Sequence, residues 1–384
     1  MNRYHNPVRT VEGPGCLAAL PQVLENMNLD RKDVLLLVWN ESVLDLPVMA
    51  QLRKEDSGFT VRSLVFKASN PTVEQLFEAY ETTRDFSPAA VVAVGGGSTM
   101  DVAKSLCCLY GKELADTDAL RQLIEAKAFA PQAQWIGVPT TAGTGSEVTC
   151  WATIWDPQRK AKRSIECQEN YAWAALVDPE LAAGMPMTLA VSSALDAVAH
   201  AVESYWARGT NAVSRALALE AIRTIMGNLD DLLAGKDEAH DAMARGSMLA
   251  GMAFSNTRTT ACHSISYPLT MYCGIPHGAA VSMLLAPVLR LNTPAITGIG
   301  PLLDALGVGS AEELERRIRE ILRRSGQPAT LREWGVKMED LPGLARLGVT
   351  KGRADNNPMP IDPQTILTIL EESCRVVEPN QKGA

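Results

Sequence analysis

Residues 90–110, AVVAVGGGSTMDVAKSLCCLY, contain an apolar run, a glycine turn and a helical pattern in direct succession. The run AVVAV suits a short buried strand, and the segment from Ser98 to Tyr110 has the pattern of a helix. Similar short apolar runs occur elsewhere in the first half: VLLLVW at 34–39, VRSLVF at 61–66 and QWIGVP at 134–139. Strands that alternate with helices predict an α/β domain with a mostly parallel sheet covered by helices.

The glycine turn, Gly95-Gly96-Gly97-Ser98, lies where the strand ends and the helix begins. Ligands of parallel sheets bind beyond the carboxyl ends of the strands. Glycines let the backbone approach a phosphate closely, and the first helix amides supply donors and a positive dipole end. We therefore predict a pyrophosphate site here, although the turn is not a GxGxxG fingerprint and a tight turn without a ligand is the alternative. Asp101 is expected to support this site or to favour the first helical turn.

A second loop of small and hydroxyl-bearing residues, Thr140–Ser146, follows the apolar run at 134–139. A loop of this composition either takes part in the same site or forms a turn that bonds its own backbone. The residues alone leave both interpretations open.

From about residue 186 onward no strand pattern is present. A helical pattern occurs in six segments, at 188–206, 211–233, 238–254, 278–292, 311–326 and 362–374. A chain of 384 residues is long enough for two domains. We predict an α/β dinucleotide-binding domain at 1–185 and an all-helical metal-binding and substrate domain at 186–384, with the reaction centre between them.

Three of the five histidines fall in apolar stretches of the second half. Asp196 and His200 lie four residues apart on a predicted buried helix, so their side chains can reach one point. A buried carboxylate requires a partner, which His200 can supply without a metal. His263 and His277 add two imidazoles, and three imidazoles with one carboxylate suit a borderline divalent cation such as Fe(II) or Zn(II).

The bulk properties exclude several classes of function. A net charge of -8 argues against nucleic acid or an anionic membrane as the main partner. The N-terminus lacks an apolar signal core, and no run of 18 apolar residues occurs, so we predict a cytoplasmic protein. Eight cysteines without a CxxC pair indicate reduced thiols rather than a disulfide framework.

The motifs together resemble the iron-containing (group III) alcohol dehydrogenase family. The resemblance runs from about residue 10 to 290 and is carried by GGGSTMDVAK at 95–104, PTTAGTGSEVT at 139–149, Asp196-x3-His200, His263 and Pro276-His277-Gly278. It implies a dehydroquinate synthase-like architecture, at least a dimer, and an NAD- or NADP-dependent transfer of hydride to or from a metal-bound carbonyl or alcohol. It also implies an iron held by four residues, Asp196, His200, His263 and His277.

The resemblance further implies contacts to the dinucleotide. Thr140, Thr141 and Thr144 are expected to contact the cofactor, Lys162 to reach its ribose or phosphate side, and Asn70 to face the nucleotide. At Asn40, NAD-preferring dehydrogenases commonly place an acid that bonds the ribose hydroxyls and repels the phosphate of NADP. Because Asn40 is neutral, NAD and NADP are both open.

Two departures from the family concern the substrate. Many relatives carry a histidine where this chain has Tyr267, which either donates a hydrogen bond or a proton or packs. Arg258, Thr259 and Thr260 replace small apolar residues and would suit an anionic substrate, although an arginine that pairs with a structural carboxylate is the alternative. These residues resemble the phosphonoacetaldehyde reductase branch, which forms 2-hydroxyethylphosphonate. Arg353 is a candidate for a second anion contact.

Three other functions compete with this one. A dehydrogenase of uncharged short-chain alcohols or diols would share the site, and a zinc-dependent glycerol dehydrogenase-like enzyme would share the fold but hold zinc through fewer histidines. A binding protein without catalysis is disfavoured because the ligand set and the glycine turn are complete.

Overall fold

The computed structural model describes residues 3–159, 161–350 and 352–375. The chain divides into two compact units. Of the described residues, the first unit comprises those between His5 and Gly184, and the second comprises those from Met185 onward together with Arg3 and Tyr4.

The first unit is built on a six-stranded sheet in which all pairings are parallel. Its strands are β1 (Arg9–Glu12), β2 (Asp33–Val38), β3 (Thr60–Val65), β4 (Ala90–Gly95), β5 (Gln134–Pro139) and β8 (Ala174–Val177). The strand order is β1-β8-β5-β4-β2-β3. The predicted parallel sheet is therefore confirmed, and the four strands read from the sequence lie within one residue of their expected positions.

Helices on both faces of the sheet explain why the inner strands β2, β4, β5 and β8 are mostly apolar, unlike the edge strands β1 and β3. The helices are α1 (Leu20–Asn26), α2 (Pro47–Leu52), α3 (Val73–Thr83), α4 (Gly97–Leu109) and α5 (Thr117–Ala126). On β2, Leu35 and Leu37 join the core that contains α3, α4 and α5, whereas Leu36 and Val38 join the core that contains α1 and α2. Successive strand residues point to opposite faces, so a doubly covered strand must be apolar at every position.

A separate antiparallel hairpin, which the sequence analysis did not identify, is formed by β6 (Trp151–Asp156) and β7 (Ala161–Glu166). Its strands alternate in burial or carry charges, so they lack a continuous apolar run. The fully buried Asp156 accepts hydrogen bonds from the guanidinium groups of Arg121 and Arg163. These ion pairs hold the hairpin.

In its described residues the second unit is all helical, as predicted. Its helices are α6 (Met187–Trp206), α7 (Ala212–Leu233), α8 (Glu238–Thr257), α9 (Ala261–Cys273), α10 (His277–Asn292), α11 (Ile299–Leu306), α12 (Ala311–Arg324), α13 (Leu341–Leu347) and α14 (Pro363–Cys374). Sequence analysis did not identify α9, which contains Pro268 and three serines or threonines that weaken its helical pattern. Among the described residues no helix is both long and apolar enough to cross a membrane. All eight cysteines are free, as expected.

Glu147 is a buried carboxyl group in the first unit, only 3% exposed. It packs over Gly137 of β5, where an added Cβ atom would lie 2.9 Å from the Cβ of Glu147. Burial raises the pKa of Glu147 to about 7, although Lys104 nearby acts in the opposite direction. The native state therefore keeps this proton at pH values where the unfolded chain has lost it.

We expect Glu147→Gln to stabilise the protein at high pH and not at low pH. A raised carboxyl pKa gives stability that is present below about pH 4.5 and lost as pH rises through about 7, because the native state binds the proton more tightly. Glutamine does not titrate and so loses no stability in this range. The free energy of unfolding of the variant, relative to that of the wild type, should therefore rise by about 2–4 kcal/mol between pH 4.5 and pH 8. Urea unfolding at both pH values measures this gain. The exposed Glu78→Gln is the control, and a gain that is equal at both pH values would contradict the account.

Candidate active site

One face of α6 carries three titratable side chains in a mostly apolar helix. Asp196, His200 and Glu203 are spaced by four and three residues, so they follow one another along the same face. All three are buried. The other two predicted metal ligands come from neighbouring helices of the same unit: His263 lies in α9, and His277 is the first residue of α10.

These helices bring Asp196, His263 and His277 together. Asp196 Oδ1 lies 3.4 Å from His263 Nε2 and 3.8 Å from His277 Nε2. One ligand atom from each residue falls within 4.8 Å of the others. Three residues that are distant in sequence thus present two nitrogens and one oxygen to a single point.

The cluster fits a divalent metal ion. Asp196 Oδ1 and His263 Nε2 are buried, and neither has a hydrogen-bond partner within the described chain. Buried polar atoms of native proteins are nearly always satisfied, and an ion is one of the few groups that would satisfy both atoms at once. Imidazole nitrogens with a carboxylate oxygen form a donor set for Fe(II) or Zn(II).

His200 lies beside the cluster rather than within it. Its Nδ1 atom is 3.9 Å from Asp196 Oδ2, and its ring stacks at 4.3 Å on the rings of both His263 and Phe254. The 4.8 Å group does not include it. The role of His200 as a fourth ligand therefore stays a prediction, while its ring contacts hold His263 in place.

The electrostatics of the site favour positive charge. Burial alone would raise the pKa of Asp196, but the imidazoles of His200, His277 and His263 outweigh it and hold that pKa well below its usual range. The carboxylate is therefore ionised and attracts cations. Since protons on the imidazoles compete with a metal ion, metal binding here releases protons.

Gly278 sets the distance between α10 and α6. A Cβ atom at this position would lie 2.0 Å from the carbonyl oxygen of Ser192 and 3.3 Å from the Cβ of Asp196. Only glycine permits this approach. The close contact brings His277, the preceding residue, to the carboxylate of Asp196.

Thr260, a predicted substrate contact, bonds within the protein. This residue is fully buried, and its hydroxyl donates to Glu203 Oε1 at 2.7 Å. The hydroxyl oxygen of Thr260 in turn accepts from Trp206 Nε1 at 2.8 Å. Its proton and one lone pair are thus engaged within the protein, and its role as a substrate contact stays a prediction. Sequence analysis missed Glu203, although its position one turn after His200 on a buried face was a usable signal.

Tyr267 and Arg353 lie next to the metal cluster. The Tyr267 ring stacks on His277 with 5.9 Å between centroids, and the Arg353 guanidinium lies 5.1 Å from the centre of the tyrosine ring. Burial raises the pKa of Tyr267, and Arg353 opposes this effect. The phenol therefore keeps its proton at neutral pH and is able to donate a hydrogen bond.

Arg258 has an unusual backbone conformation. It ends α8 with φ 62° and ψ 176°, a region that non-glycine residues rarely adopt. Its side chain is exposed, in contrast to the buried Thr259 and Thr260 that follow. Asn356 donates to the carbonyl oxygens of Thr257 and Thr259 and so fixes the segment that carries Arg353 against this turn.

In the first unit the two predicted nucleotide loops contact each other. A Cβ atom on Gly96 would lie 3.3 Å from the side chain of Thr141, and one on Gly97 would lie 2.9 Å from that of Thr144. The backbone of Thr140 donates to the carbonyl oxygen of Gly95. The glycines of the turn therefore make room for threonine side chains, and none of them has a positive φ.

Asp101 and Lys104 on α4 hold this arrangement. Asp101 accepts hydrogen bonds from the Ser146 hydroxyl and from the Thr153 amide, so its carboxylate supports the loop. The buried Lys104 donates to the hydroxyls of Ser146 and Thr149 and to a carbonyl oxygen, which uses all three of its donors. Burial lowers the pKa of Lys104 to about 8, against the opposing effect of Asp101.

The remaining predicted nucleotide contacts lie on the same unit. The amide of Asn70, a residue with φ 54°, donates to the Ser98 hydroxyl at 3.0 Å and so joins its loop to the glycine turn. Asn40 follows β2, and its side-chain oxygen accepts from the Ser42 amide. Lys162 lies on β7 with its ammonium group 5.6 Å from the Trp155 ring. The roles of these residues in cofactor binding stay predictions.

Comparison with known proteins identifies the class that this fold and site define. The profile for iron-containing alcohol dehydrogenase matches residues 7–179, and the profile for the C-terminal part of the Fe-containing alcohol dehydrogenase family matches residues 190–374. The chain belongs to the iron-containing alcohol dehydrogenase family and is an oxidoreductase.

Individual relatives differ in their substrates. The chain is 33% identical to a 1,3-propanediol dehydrogenase from Klebsiella pneumoniae over 74% of its length and 75% of the relative. It is 31% identical to a phosphonoacetaldehyde reductase from Streptomyces viridochromogenes, over 75% of this chain and 76% of the relative. A sulfoacetaldehyde reductase from Bifidobacterium kashiwanohense, crystallised with NAD+, superposes with a TM-score of 0.86 at 27% identity, covering 97% of this chain and 98% of the other.

We expect Gly278→Ala to weaken metal binding more than it weakens the fold. The added methyl group would push α10 away from α6 at Ser192 and carry His277 away from Asp196. A shifted ligand should lower metal affinity by at least about tenfold. Competition with a chelator measures the affinity, and Gly343→Ala, where an added Cβ meets nothing within 4 Å, is the control. Unchanged affinity in Gly278→Ala would contradict the assignment of His277 as a ligand.

Proposed function

We propose that this protein reduces phosphonoacetaldehyde to 2-hydroxyethylphosphonate with NADH or NADPH. The observation that carries the proposal is the position of Arg353, whose guanidinium lies over the Tyr267 ring while that ring stacks on His277. The permanently charged Arg353 is thus separated from the predicted metal ligand His277 by one side chain, that of Tyr267.

Arg353 has the partners expected of an anion-binding arginine. Its Nε donates to the Thr259 hydroxyl at 3.2 Å, and within the described residues it forms no ion pair with a carboxylate. A guanidinium pairs with phosphonate or sulfonate oxygens through two parallel hydrogen bonds. Its contacts with Thr259 and Tyr267 hold the group in one orientation without neutralising its charge.

Arg258 supplies a second cation to the same region. Its Nη1 atom lies 3.8 Å from the point where a Cβ atom on Gly352 would stand, so its side chain reaches the segment that carries Arg353. Two guanidinium groups from adjacent turns suit a phosphonate, which carries more than one negative charge near neutral pH. An uncharged alcohol or diol has no need of them.

Two relatives support an anionic substrate. The Streptomyces and Bifidobacterium proteins are named for phosphonoacetaldehyde and sulfoacetaldehyde, and both compounds are two-carbon aldehydes that end in an anionic group. The Klebsiella relative, at similar identity, is named for an uncharged diol. Sequence identity to these relatives therefore does not decide the substrate. Arg258 and Arg353 favour an aldehyde that carries an anionic group.

The residues divide the work of the reaction. Arg353 and Arg258 would bind the phosphonate and orient the aldehyde toward the cluster of Asp196, His263 and His277. These three residues would hold a divalent ion, which when bound supplies Lewis-acid polarisation of the carbonyl oxygen. Reduction adds a hydride from the nicotinamide to the carbon and a proton to the oxygen, and the protonated phenol of Tyr267 would donate a hydrogen bond to that oxygen.

Three attributes inferred from the sequence stay predictions. They are the choice between NAD and NADP, the homodimer or larger homo-oligomer, and the cytoplasmic location. The neutral Asn40 leaves both coenzymes open, because its side chain neither repels a phosphate nor pairs with one.

Steady-state kinetics with both reduced coenzymes test the substrate. We expect kcat/KM for phosphonoacetaldehyde to exceed that for propionaldehyde by at least about tenfold. Arg353→Ala should lower kcat/KM for phosphonoacetaldehyde by about 100-fold, because a charged hydrogen-bond pair is lost, and should change the rate with propionaldehyde less than about threefold.

Arg346→Ala, which alters an exposed arginine in the last turn of α13, is the matched control for these measurements. Equal or better turnover of uncharged aldehydes by the wild type would assign the protein to the diol or short-chain alcohol dehydrogenases instead. An equal loss with both substrates in Arg353→Ala would show a structural role for that arginine.

A further inference from the structure

Glu203 is a buried carboxylate that lies outside the metal cluster but is connected to it. It is fully buried, and it accepts hydrogen bonds from three groups that all belong to the start of α9. Oε1 accepts hydrogen bonds from the Thr260 hydroxyl and from the backbone amide of Cys262, both at 2.7 Å, and Oε2 is hydrogen-bonded to Nδ1 of His263.

The hydrogen bond from the Cys262 amide to Glu203 caps helix α9 with a side chain from another helix. Thr260 is the N-cap residue of α9, yet it makes no side-chain capping bond. Glu203 on α6 supplies the missing acceptor to the Cys262 amide and places a negative charge at the positive end of the α9 dipole. The first turn of α9, which carries His263, is thereby fixed relative to α6, which carries Asp196.

The contact between Glu203 and His263 determines which ring nitrogen of His263 is free to bind a metal ion. A neutral imidazole carries one proton, and an ionised carboxylate only accepts hydrogen bonds. The proton must therefore lie on Nδ1, where it is donated to Glu203. Nε2 then presents a lone pair toward Asp196 Oδ1, 3.4 Å away.

We propose that Glu203 is a positioning residue of the metal site, which holds His263 in the tautomer and orientation that ligation requires. This rests on the metal site and not on the identity of the substrate. The arrangement, a carboxylate behind a ligating histidine, raises the basicity of the ligand and restricts its rotation. Thr260 in turn holds Glu203 in place, because its hydroxyl donates a hydrogen bond to Glu203 and accepts one from Trp206.

The replacement Glu203→Gln tests this role with little change of shape. The Cys262 amide always carries a hydrogen, so the single oxygen of the glutamine amide must face it. The NH2 group is then forced toward Nδ1 of His263, which must accept and therefore moves its proton to Nε2. The nitrogen that faces the metal loses its lone pair, although every side chain keeps its place.

We expect Glu203→Gln to lower the affinity for Co(II) or Fe(II) by about 10- to 100-fold, measured by chelator competition. The d–d absorption of the Co(II) protein should change as a ligand is lost, and Glu203→Asp should recover part of the affinity. Ser204→Ala is the matched control, because it alters the adjacent buried residue, which bonds Thr257 and does not touch His263. Native affinity and an unchanged Co(II) spectrum in Glu203→Gln would overturn the proposal.

A second measurement does not depend on the stability of a variant. The chain has only five histidines, so 15N-histidine labelling of the metal-free wild type gives a tractable NMR spectrum. At a pH where the His263 ring carries a single proton, we expect that proton on Nδ1, with the signals assigned by their loss in His263→Asn. A single proton on Nε2 would overturn the proposal. If the wild type binds neither metal, the metal site itself fails, whereas the tautomer measurement still decides the role of Glu203.

Discussion

The burial of one carboxylate, that of Asp196, constrains the helical unit more than any other interaction. An ionised carboxylate away from water requires positive charge or hydrogen-bond donors. Here three imidazoles surround it, and two of them come from helices other than α6. The packing of α6, α9 and α10 is therefore fixed by the need to bring these groups together. Gly278, which admits α10 to contact with α6, and Glu203, which holds the start of α9, serve the same requirement.

The first unit meets a different requirement with similar means. Its glycine turn and its threonine loop come from separate strands, and the buried Lys104 and the Asp101 carboxylate join them through Ser146. These charged groups fix a surface of backbone amides and small side chains at the carboxyl ends of β4 and β5, where a dinucleotide phosphate is expected to bind.

The sequence predicted much of this because the informative patterns are local. Strands covered on both faces are apolar at each position, as in 90–94, and Asp196 and His200 share a helix face by spacing alone. The hairpin at 151–166 and α9 lacked such patterns, since polar residues interrupt the first and Pro268 interrupts the second. The hydrogen bond between Thr260 and Glu203 could not be predicted, because the two residues are 57 positions apart and only the fold brings them together.

The central claim is that Asp196, His263 and His277 bind one divalent metal ion. Anomalous diffraction from a crystal of iron-loaded protein, measured on both sides of the iron absorption edge, tests it most directly. We predict a single strong peak bounded by the Asp196 carboxylate and the Nε2 atoms of His263 and His277, and the same map will show whether His200 completes the set. A peak at another place, or a fully loaded crystal without a peak between these three side chains, would contradict the account.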